Sequence, residues 1–328
     1  MRKLRKFVVK NAFKEYVPEK FDFEIVEEPI PDLKSGEFLV EAEYISVDPY
    51  MRSFANNFEV PYEQFGFQVG KVIESENPEY VAGSRVVSHS GWRDFAILNS
   101  EPDPIFNTKP YEPDVGDLHL SLSIGALGMP GITAYLGLLQ ICKPKNGEVV
   151  CVTSAAGAVG SLVGQIAKIK GCTVIGFAGT DEKVQILQRE LDFDHVFNYK
   201  TVTNVIEALD SVADGIDCFF DNVGGDLAAN IVECMRDNGR VAVCGAISTY
   251  GQMRAKRAKP RNSIKMESFS FTQWERSQQH DALRQLKEWL QNGTIKAKET
   301  VTNGFEQLPD TFIAMLKGHN VGKALVKV

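Results

Sequence analysis

Cysteine is missing from the first 141 residues of this 328-residue chain. The six that follow, Cys142, Cys151, Cys172, Cys218, Cys234 and Cys244, form no C-x-x-C pair. That pattern excludes a disulfide framework and reads as buried free thiols in a reducing compartment. The five histidines are isolated and no H-E-x-x-H occurs, so no metal site built from sequence neighbours is expected. Positive charge is also short. Lys and Arg number 36 against 43 Asp and Glu, a net charge of −7. A chain of that balance lacks the broad basic face that duplex nucleic acid requires.

Long apolar runs are scarce as well. Residues 118–142 hold no Asp, Glu, Lys or Arg, but Gly125, Gly128, Pro130, Gly131 and Gly137 interrupt them. They read as a buried strand–turn–helix and not as a membrane span. At the N-terminus only Phe7-Val8-Val9 follow the basic residues 1–6, too few for a secretory signal. A first strand is expected there, in a soluble cytoplasmic protein. No Gly-x-Ser-x-Gly elbow supports a hydrolase. Gly318-to-Lys323 is too short for a phosphate loop, and Tyr16-x-x-x-Lys20 precedes any nucleotide-binding pattern.

What is present is an ordinary globular composition, 44% apolar and 24% charged, long enough for about two domains. The first ~120 residues read as short strands punctuated by Gly, Pro and Asn, with no helical period of useful length, and suggest an irregular β-barrel. Near residue 130 the pattern changes to strict β-α alternation. Strands are predicted at 149–154, 173–178, 195–199, 216–222, 240–246 and 266–271. Helices are predicted at 161–170, 181–191, 204–212, 226–235 and 280–291, the last with Leu283, Leu286, Trp289 and Leu290 inward. Six such strands imply a doubly wound parallel sheet with a nucleotide site at its carboxyl edge. The tail, extended from Ile295, helical near 308–317 and a strand at 321–328, is expected to return to the first domain.

The first strand of the run leads into Ala155-Ala156-Gly157-Ala158-Val159-Gly160 and a helix. This is the dinucleotide fingerprint with Ala155 in place of its first glycine. Gly157 lets backbone approach a pyrophosphate, Gly160 lets the helix pack on the strand, and the helix N-terminus faces the phosphates. The alternative is a tight crossover that serves packing alone. The second strand ends in Gly176-Phe177-Ala178-Gly179 with no acid to bind a ribose 2′-hydroxyl. Thr180, Lys183 and Tyr199 instead suit a 2′-phosphate, which favours NADPH/NADP over NAD, although Asp181 leaves NAD open. Asp221-Asn222-Val223-Gly224-Gly225 and Cys244-Gly245-Ala246-Ile247-Ser248 end the next two strands and form candidate walls for the nicotinamide half.

A β-barrel, a nucleotide fold and a returning tail together resemble the medium-chain dehydrogenase/reductase superfamily. The catalytic Cys, Gly-His-Glu and four-cysteine lobe of its zinc members have no counterpart here; Gly66-Phe67-Gln68-Val69-Gly70 stands where Gly-His-Glu would fall. No metal is therefore expected. The chain more closely resembles the zinc-free prostaglandin reductases, also known as leukotriene B4 12-hydroxydehydrogenases. The segments that carry this resemblance are Val47-Asp48-Pro49-Tyr50-Met51-Arg52, Gly128-Met129-Pro130-Gly131-Ile132-Thr133-Ala134-Tyr135, the fingerprint turn, Asp181-Glu182-Lys183, Phe197-Asn198-Tyr199-Lys200, the two strand ends above and Asn320-Val321-Gly322-Lys323.

The resemblance implies an α/β protein with a GroES-like irregular β-barrel domain (1–127 with 299–328) and a Rossmann NADP-binding domain (128–298). It implies NADPH-dependent reduction of the carbon–carbon double bond of α,β-unsaturated ketones and aldehydes, such as 15-oxo-prostaglandins and lipid alkenals. Oxidation of the leukotriene B4 12-hydroxyl with NADP is a second family trait, and a homodimer is implied. Beyond the fingerprint residues, Thr180, Lys183 and Tyr199, the implied cofactor contacts are Asn222, Cys244, Gly245, Ala246, Ile247, Ser248, Tyr250, Phe269, Ser270, Phe271 and Asn320. Tyr50 and Tyr250 are the candidate hydroxyl donors to a developing enolate. The alternative is that Tyr50 only shapes the pocket and Tyr250 only covers the cofactor. Met129 and Thr133 are expected to line the substrate pocket beside Tyr50 and Arg52, with Arg52 in a structural ion pair. One departure from the family is a shorter segment after Tyr250 that carries Arg254, Lys256, Arg257, Lys259 and Arg261 and no tyrosine. It reads either as a solvated loop or as a lure for a fatty-acid carboxylate. Quinone reduction and a non-enzymatic NADPH-binding role are the rival functions.

Overall fold

The computed structural model describes residues 2–250 and 263–328. It divides into two compact units, Met1–Gly125 with Glu299–Val328, and Ala126–Lys298.

In the first unit, β1 (Lys3–Val9) pairs antiparallel with β2 (Phe23–Pro29), Phe7 opposite Ile25. β3 (Phe38–Val47) is the hub of a second sheet because it is apolar on both faces, with Phe38, Leu39, Val40, Ile45 and Val47 all buried. A five-residue helix α1 (Tyr50–Phe54) follows it, where the sequence predicted none, and a short β4 (Tyr62–Glu63) pairs with β1. β5 (Gln68–Ser75), β6 (Arg85–Ser88) and β7 (Phe95–Leu98) complete the antiparallel pairing around β3. A Cβ at Gly70 would run into the backbone of Glu41, so glycine lets β5 cross β3 closely. Phe7, Phe23, Trp92, Phe305 and Phe312 interlock in the core, with Trp92 edge-on to both Phe7 and Phe312.

The second unit begins with α2 (Met129–Leu136). Its parallel strands are β8 (Val149–Val152), β9 (Thr173–Ala178), β10 (His195–Asn198), β11 (Ile216–Asp221), β12 (Met235–Val243) and β13 (Lys265–Ser268). Between them lie α3 (Gly160–Ile169), α4 (Asp181–Glu190), α5 (Val205–Asp210) and α6 (Gly225–Glu233), and α7 (Arg276–Gln291) follows. The sheet order β10-β9-β8-β11-β12-β13 is the doubly wound order expected of a dinucleotide fold. Cys151, Ile175, Phe177, Phe219 and Val241 are fully buried in its core, each such side chain stabilising the fold by roughly 1.5–3 kcal/mol.

The chain then returns through β14 (Glu299–Asn303), α8 (Leu308–Leu316) and β15 (Lys323–Lys327). β15 pairs parallel with β14 and antiparallel with β3, so the tail completes the first unit's sheet. Three sequence expectations need correction. Residues 118–142 contain no strand; a 3-10 turn at Leu120–Ile124 precedes α2, and a π-type turn at Gly137–Cys142 follows it. Pro130 in the first turn and Gly131 packed on the Ala126 carbonyl favour a helix start there. β12 begins at Met235, five residues early, and Asn238, at φ 65°, lies within it. On α7 only Ala282 and Leu286 are fully buried, while Leu283, Trp289 and Leu290 are half-buried. Among the described residues no helix is long and apolar enough to cross a membrane.

Candidate active site

β8 ends in a turn whose one left-handed residue is Ser154, at φ 49°. Ala155 carries no such strain, which explains why alanine stands where the fingerprint has its first glycine. Gly157 and Gly160 are needed for space. A Cβ on Gly157 would lie 3.0 Å from Ser154 Oγ, and one on Gly160 would strike the Ser154 carbonyl. Gly157, Ala158 and Val159 are half-buried at the rim of this turn, and Gly160 begins α3. The amides of Ser161 and Leu162 already donate to the Gly157 and Val159 carbonyls, so the suitability of this rim for an anionic group rests on the positive end of the α3 dipole.

At the tip of β9, Thr180 caps α4 by accepting the Lys183 amide at 3.3 Å. Asp181, the residue that left NAD open, accepts a hydrogen bond from Asn198 Nδ2 at 2.7 Å. A Cβ on Gly179 would lie 3.2 Å from the Tyr199 ring, so glycine lets that exposed ring lie over the turn. Burial, then repulsion from Lys200, holds the Lys183 ammonium below its ordinary value. Glu182 opposes that shift, so the corner gathers two lysines and a carboxylate near an aromatic ring. Lys200 was not singled out by sequence reasoning, although it adjoins Tyr199.

The tips of β11 and β12 are laced together through Asp221. Its Oδ1 accepts from Thr153 Oγ1 at 3.0 Å and from the amides of Val223 and Gly224, both at 2.9 Å. Its carbonyl accepts the amides of Cys244 and Gly245. Burial raises the Asp221 carboxyl despite those bonds. Asn222 Nδ2 donates to the Thr153 carbonyl at 2.7 Å, Ile247 N–H bonds the Asn222 carbonyl, and Ser248 Oγ donates to the Val223 carbonyl at 2.6 Å. Gly224 and Gly225 both have positive φ, which lets these two loops approach. Tyr250 Oη accepts from the Ala246 amide at 3.4 Å, and burial raises its pKa. Burial also pushes the Cys244 thiol up to about 12, so it is no thiolate nucleophile at neutral pH. Phe269 packs edge-on against Phe220, Ser270 bonds Thr272, and Phe271 is buried. Met129 is half-buried on α2, while buried Thr133 donates back to the Met129 carbonyl at 2.7 Å.

In the first unit, Lys323 anchors the segment that precedes α1. Its Nζ lies 2.9 Å from Asp48 Oδ1 and 2.7 Å from the Val47 carbonyl, with both charged side chains buried. Ser46 Oγ donates to the other Asp48 oxygen. Tyr50 opens α1 among Phe54, Phe65 and Phe106. Its Oη lies 2.9 Å from His89 Nε2, and the Phe67 amide donates to it. Burial, then Asp48 and Asp103, raises its pKa well above the ordinary tyrosine value, so the hydroxyl is neutral at pH 7. Among the described residues Arg52 forms no ion pair, against expectation. Its buried guanidinium donates to the carbonyls of Tyr16 and Glu15 and covers the Phe13 ring. Asn320 Nδ2 donates to the Gly322 carbonyl at 2.7 Å. His89 and Asp103 escaped sequence reasoning because neither lies in a motif. The basic residues Arg254, Lys256, Arg257, Lys259 and Arg261 lie outside the described residues.

A barrel-type first unit and a six-stranded nucleotide-binding sheet define the medium-chain dehydrogenase/reductase class. Residues 5–103 match the family model of the N-terminal domain of oxidoreductase, and residues 158–288 match that of zinc-binding dehydrogenase. Among the described residues, no group of three or more His, Cys, Asp or Glu is placed to hold a metal ion. The chain is 46% identical over 94% of its length to prostaglandin reductase 1 of Oryctolagus cuniculus, covering 88% of that protein. It is 36% identical over 99% of its length to an NADP(+)-dependent 2-alkenal reductase of Nicotiana tabacum, covering 97% of it. Among solved structures, CurA from Vibrio vulnificus in complex with NADPH superposes with a TM-score of 0.88 at 32% identity, covering 99% of each chain. The chain belongs to the prostaglandin reductase family of medium-chain dehydrogenases/reductases.

Proposed function

We propose that this protein reduces the carbon–carbon double bond of α,β-unsaturated ketones and aldehydes with NADPH. One observation carries the reading. In a chain so similar to a prostaglandin reductase, the fingerprint turn, the Lys183–Lys200 corner and the glycine-laced tips of β11 and β12 all lie at the carboxyl edge of one parallel sheet.

The residues fit the cofactor. Gly157, Ala158, Val159 and Gly160 would hold its pyrophosphate at a rim where a larger side chain has no room. Thr180, Lys183, Tyr199 and Lys200 would hold the 2′-phosphate end, offering it a hydroxyl, two ammonium groups and an aromatic face. Asn222, the segment from Cys244 to Ser248, Tyr250, Phe269, Ser270, Phe271 and Asn320 would hold the remainder. NADPH, when bound, supplies a hydride to the β-carbon of the enone.

The protein then has two tasks, to stabilise negative charge on the carbonyl oxygen and to deliver a proton to the α-carbon. Tyr50 is assigned the proton, because its hydroxyl is neutral and held in place by polar partners. Tyr250 is assigned the role of a neutral hydroxyl at the mouth of the cofactor site. Met129 and Thr133 are proposed as substrate contacts, and Arg52 fixes α1 to the carbonyls of residues 15 and 16. The substrates proposed are 15-oxo-prostaglandins and lipid alkenals, with leukotriene B4 12-hydroxyl oxidation as a second activity. Assembly as a cytoplasmic homodimer is also proposed; β13 closes its sheet with one edge unpaired among the described residues.

An acceptor screen tests the reading. NADPH consumption should be fastest with a conjugated enal or enone and negligible with the saturated aldehyde. Preference for a naphthoquinone would replace the assignment with quinone reduction, and NADPH binding without any turnover would replace it with a non-enzymatic role.

A further inference from the structure

Behind Tyr50 stands a line of polar groups that the reaction above does not use. Tyr50 Oη lies 2.9 Å from His89 Nε2, and His89 Nδ1 lies 3.2 Å from Asp103 Oδ1. The His89 side chain is 1% exposed and that of Asp103 8%. The imidazole meets Phe67 and Phe106 edge-on, with centroids 4.7 and 5.0 Å away, and Phe65 stands at 6.3 Å. Packing alone would place another apolar ring there, because burying an imidazole and a carboxylate is costly unless their hydrogen bonds serve something.

The state of Asp103 settles which way these bonds run. Its Oδ1 accepts the amides of Ile105 and Phe106 at 3.0 and 2.8 Å, and its Oδ2 accepts the Thr108 amide at 2.8 Å. Burial works against ionisation, but the bonds from His89, Phe106 and Thr108 outweigh it and leave the carboxyl below its ordinary value. An ionised Asp103 only accepts, so His89 Nδ1 donates to it. In neutral His89 the Nε2 lone pair then receives the Tyr50 proton. In charged His89 that bond reverses: Nε2–H and the Phe67 amide both donate into Oη, and the tyrosine proton is turned outward.

We propose that His89, fixed by Asp103, is a positioning residue that aims the Tyr50 proton at the substrate and reloads it after each transfer. The inference rests on Tyr50 being the proton donor. Both electrons reach the substrate with the hydride. The α-carbon takes the Tyr50 proton, the Nε2–H bond breaks as the tyrosine O–H re-forms, and neutral His89 keeps its Nδ1–H on Asp103. One proton from water, entering through Tyr50 after product leaves, restores the charged imidazole. The charged and titratable groups facing the pair are Asp103, Asp48 and the Lys323 that neutralises Asp48; the segment bearing Phe65 and Phe67 offers aromatic rings and the Phe67 amide.

The test compares the full-length wild type, His89→Gln and Tyr50→Phe in steady-state enone reduction across pH. It adds 15N spectra of histidine-labelled protein, with His89 assigned by its loss in His89→Gln. Glutamine retains a hydrogen-bonding group near Nε2 but cannot carry the proton. His89→Gln should hold NADPH affinity within about twofold, lower kcat at least tenfold and alter the pH profile of kcat. The spectra should show the proton of the neutral ring on Nδ1. If Tyr50→Phe lowers kcat tenfold while His89→Gln leaves kcat and the pH profile intact, the relay is wrong and the donor assignment survives. If Tyr50→Phe changes nothing, the donor assignment falls and the relay with it. Should His89→Gln not fold, an Nε2–H neutral ring in the wild type, assigned by its response to Tyr50→Phe, overturns the proposal.

Discussion

Asp221 ties the tips of β11 and β12 together. All three of its side-chain bonds land on Oδ1, which an asparagine carbonyl can replace. Because its folded pKa is raised, ionisation opposes folding above the unfolded value of about 3.9. Asp221→Asn should therefore match the wild type in strong acid and become more stable than it as pH rises through the raised value, as followed by thermal unfolding. Asp221→Ala strands three donors, one hydroxyl and two amides, and should lose about 1–3 kcal/mol or more at every pH. At the opposite corner, Lys183→Ala should weaken NADPH binding roughly tenfold or more while NADH binding hardly moves, measured by titration calorimetry. Equal losses for both cofactors would remove Lys183 from the 2′-phosphate contact. The difference between readable and unreadable residues lies here. Tyr50 and Lys183 sit in contiguous motifs with a chemical reason for each member. His89 meets Tyr50 across 39 positions and Asp103 across 14, so nothing near it in sequence marks it as anything but an isolated histidine.

At the scale of elements, the returning tail is held by one buried charge. Lys323 on β15 and Asp48 after β3 are each under a tenth exposed, and Lys323 also caps two carbonyls. Lys323→Met should destabilise the first unit by about 3–5 kcal/mol, because it leaves Asp48 buried and uncompensated, whereas Lys323→Met with Asp48→Leu should recover most of that loss. Lys3→Met removes a solvent-exposed partner of Glu27 and should change stability by less than about 1 kcal/mol. Denaturant unfolding of the three variants checks both. The heart of the nucleotide sheet was legible because β8, β9 and β11 are short apolar runs, each followed by a helix. Residues 118–142 were misread for a physical reason. Absence of charge reports burial but not periodicity, and the helix start depends on Gly131 meeting the Ala126 carbonyl, a contact invisible in composition. The early start of β12 was equally hidden, since Met235 pairs with Ile216 and Arg240 with Cys218, while Arg236, Asp237 and Asn238 fall in the irregularity between those pairs.

At the scale of the molecule, the proposed chemistry draws on residues of both units. The parallel sheet carries glycine-lined turns and the Lys183–Lys200 corner, and the barrel-type unit carries a neutral tyrosine bonded to His89, which is bonded in turn to Asp103. The order of elements and the family were readable in the chain of motifs. The polar line behind Tyr50 was not, because it exists only once the 103–108 loop folds back onto α1. The most direct test of the central claim is the destination of the label when the enzyme reduces a conjugated enal with NADPH deuterated at the transferable position. The account predicts deuterium on the β-carbon of a saturated aldehyde whose carbonyl is intact. Deuterium on the carbonyl carbon of an allylic alcohol would contradict it.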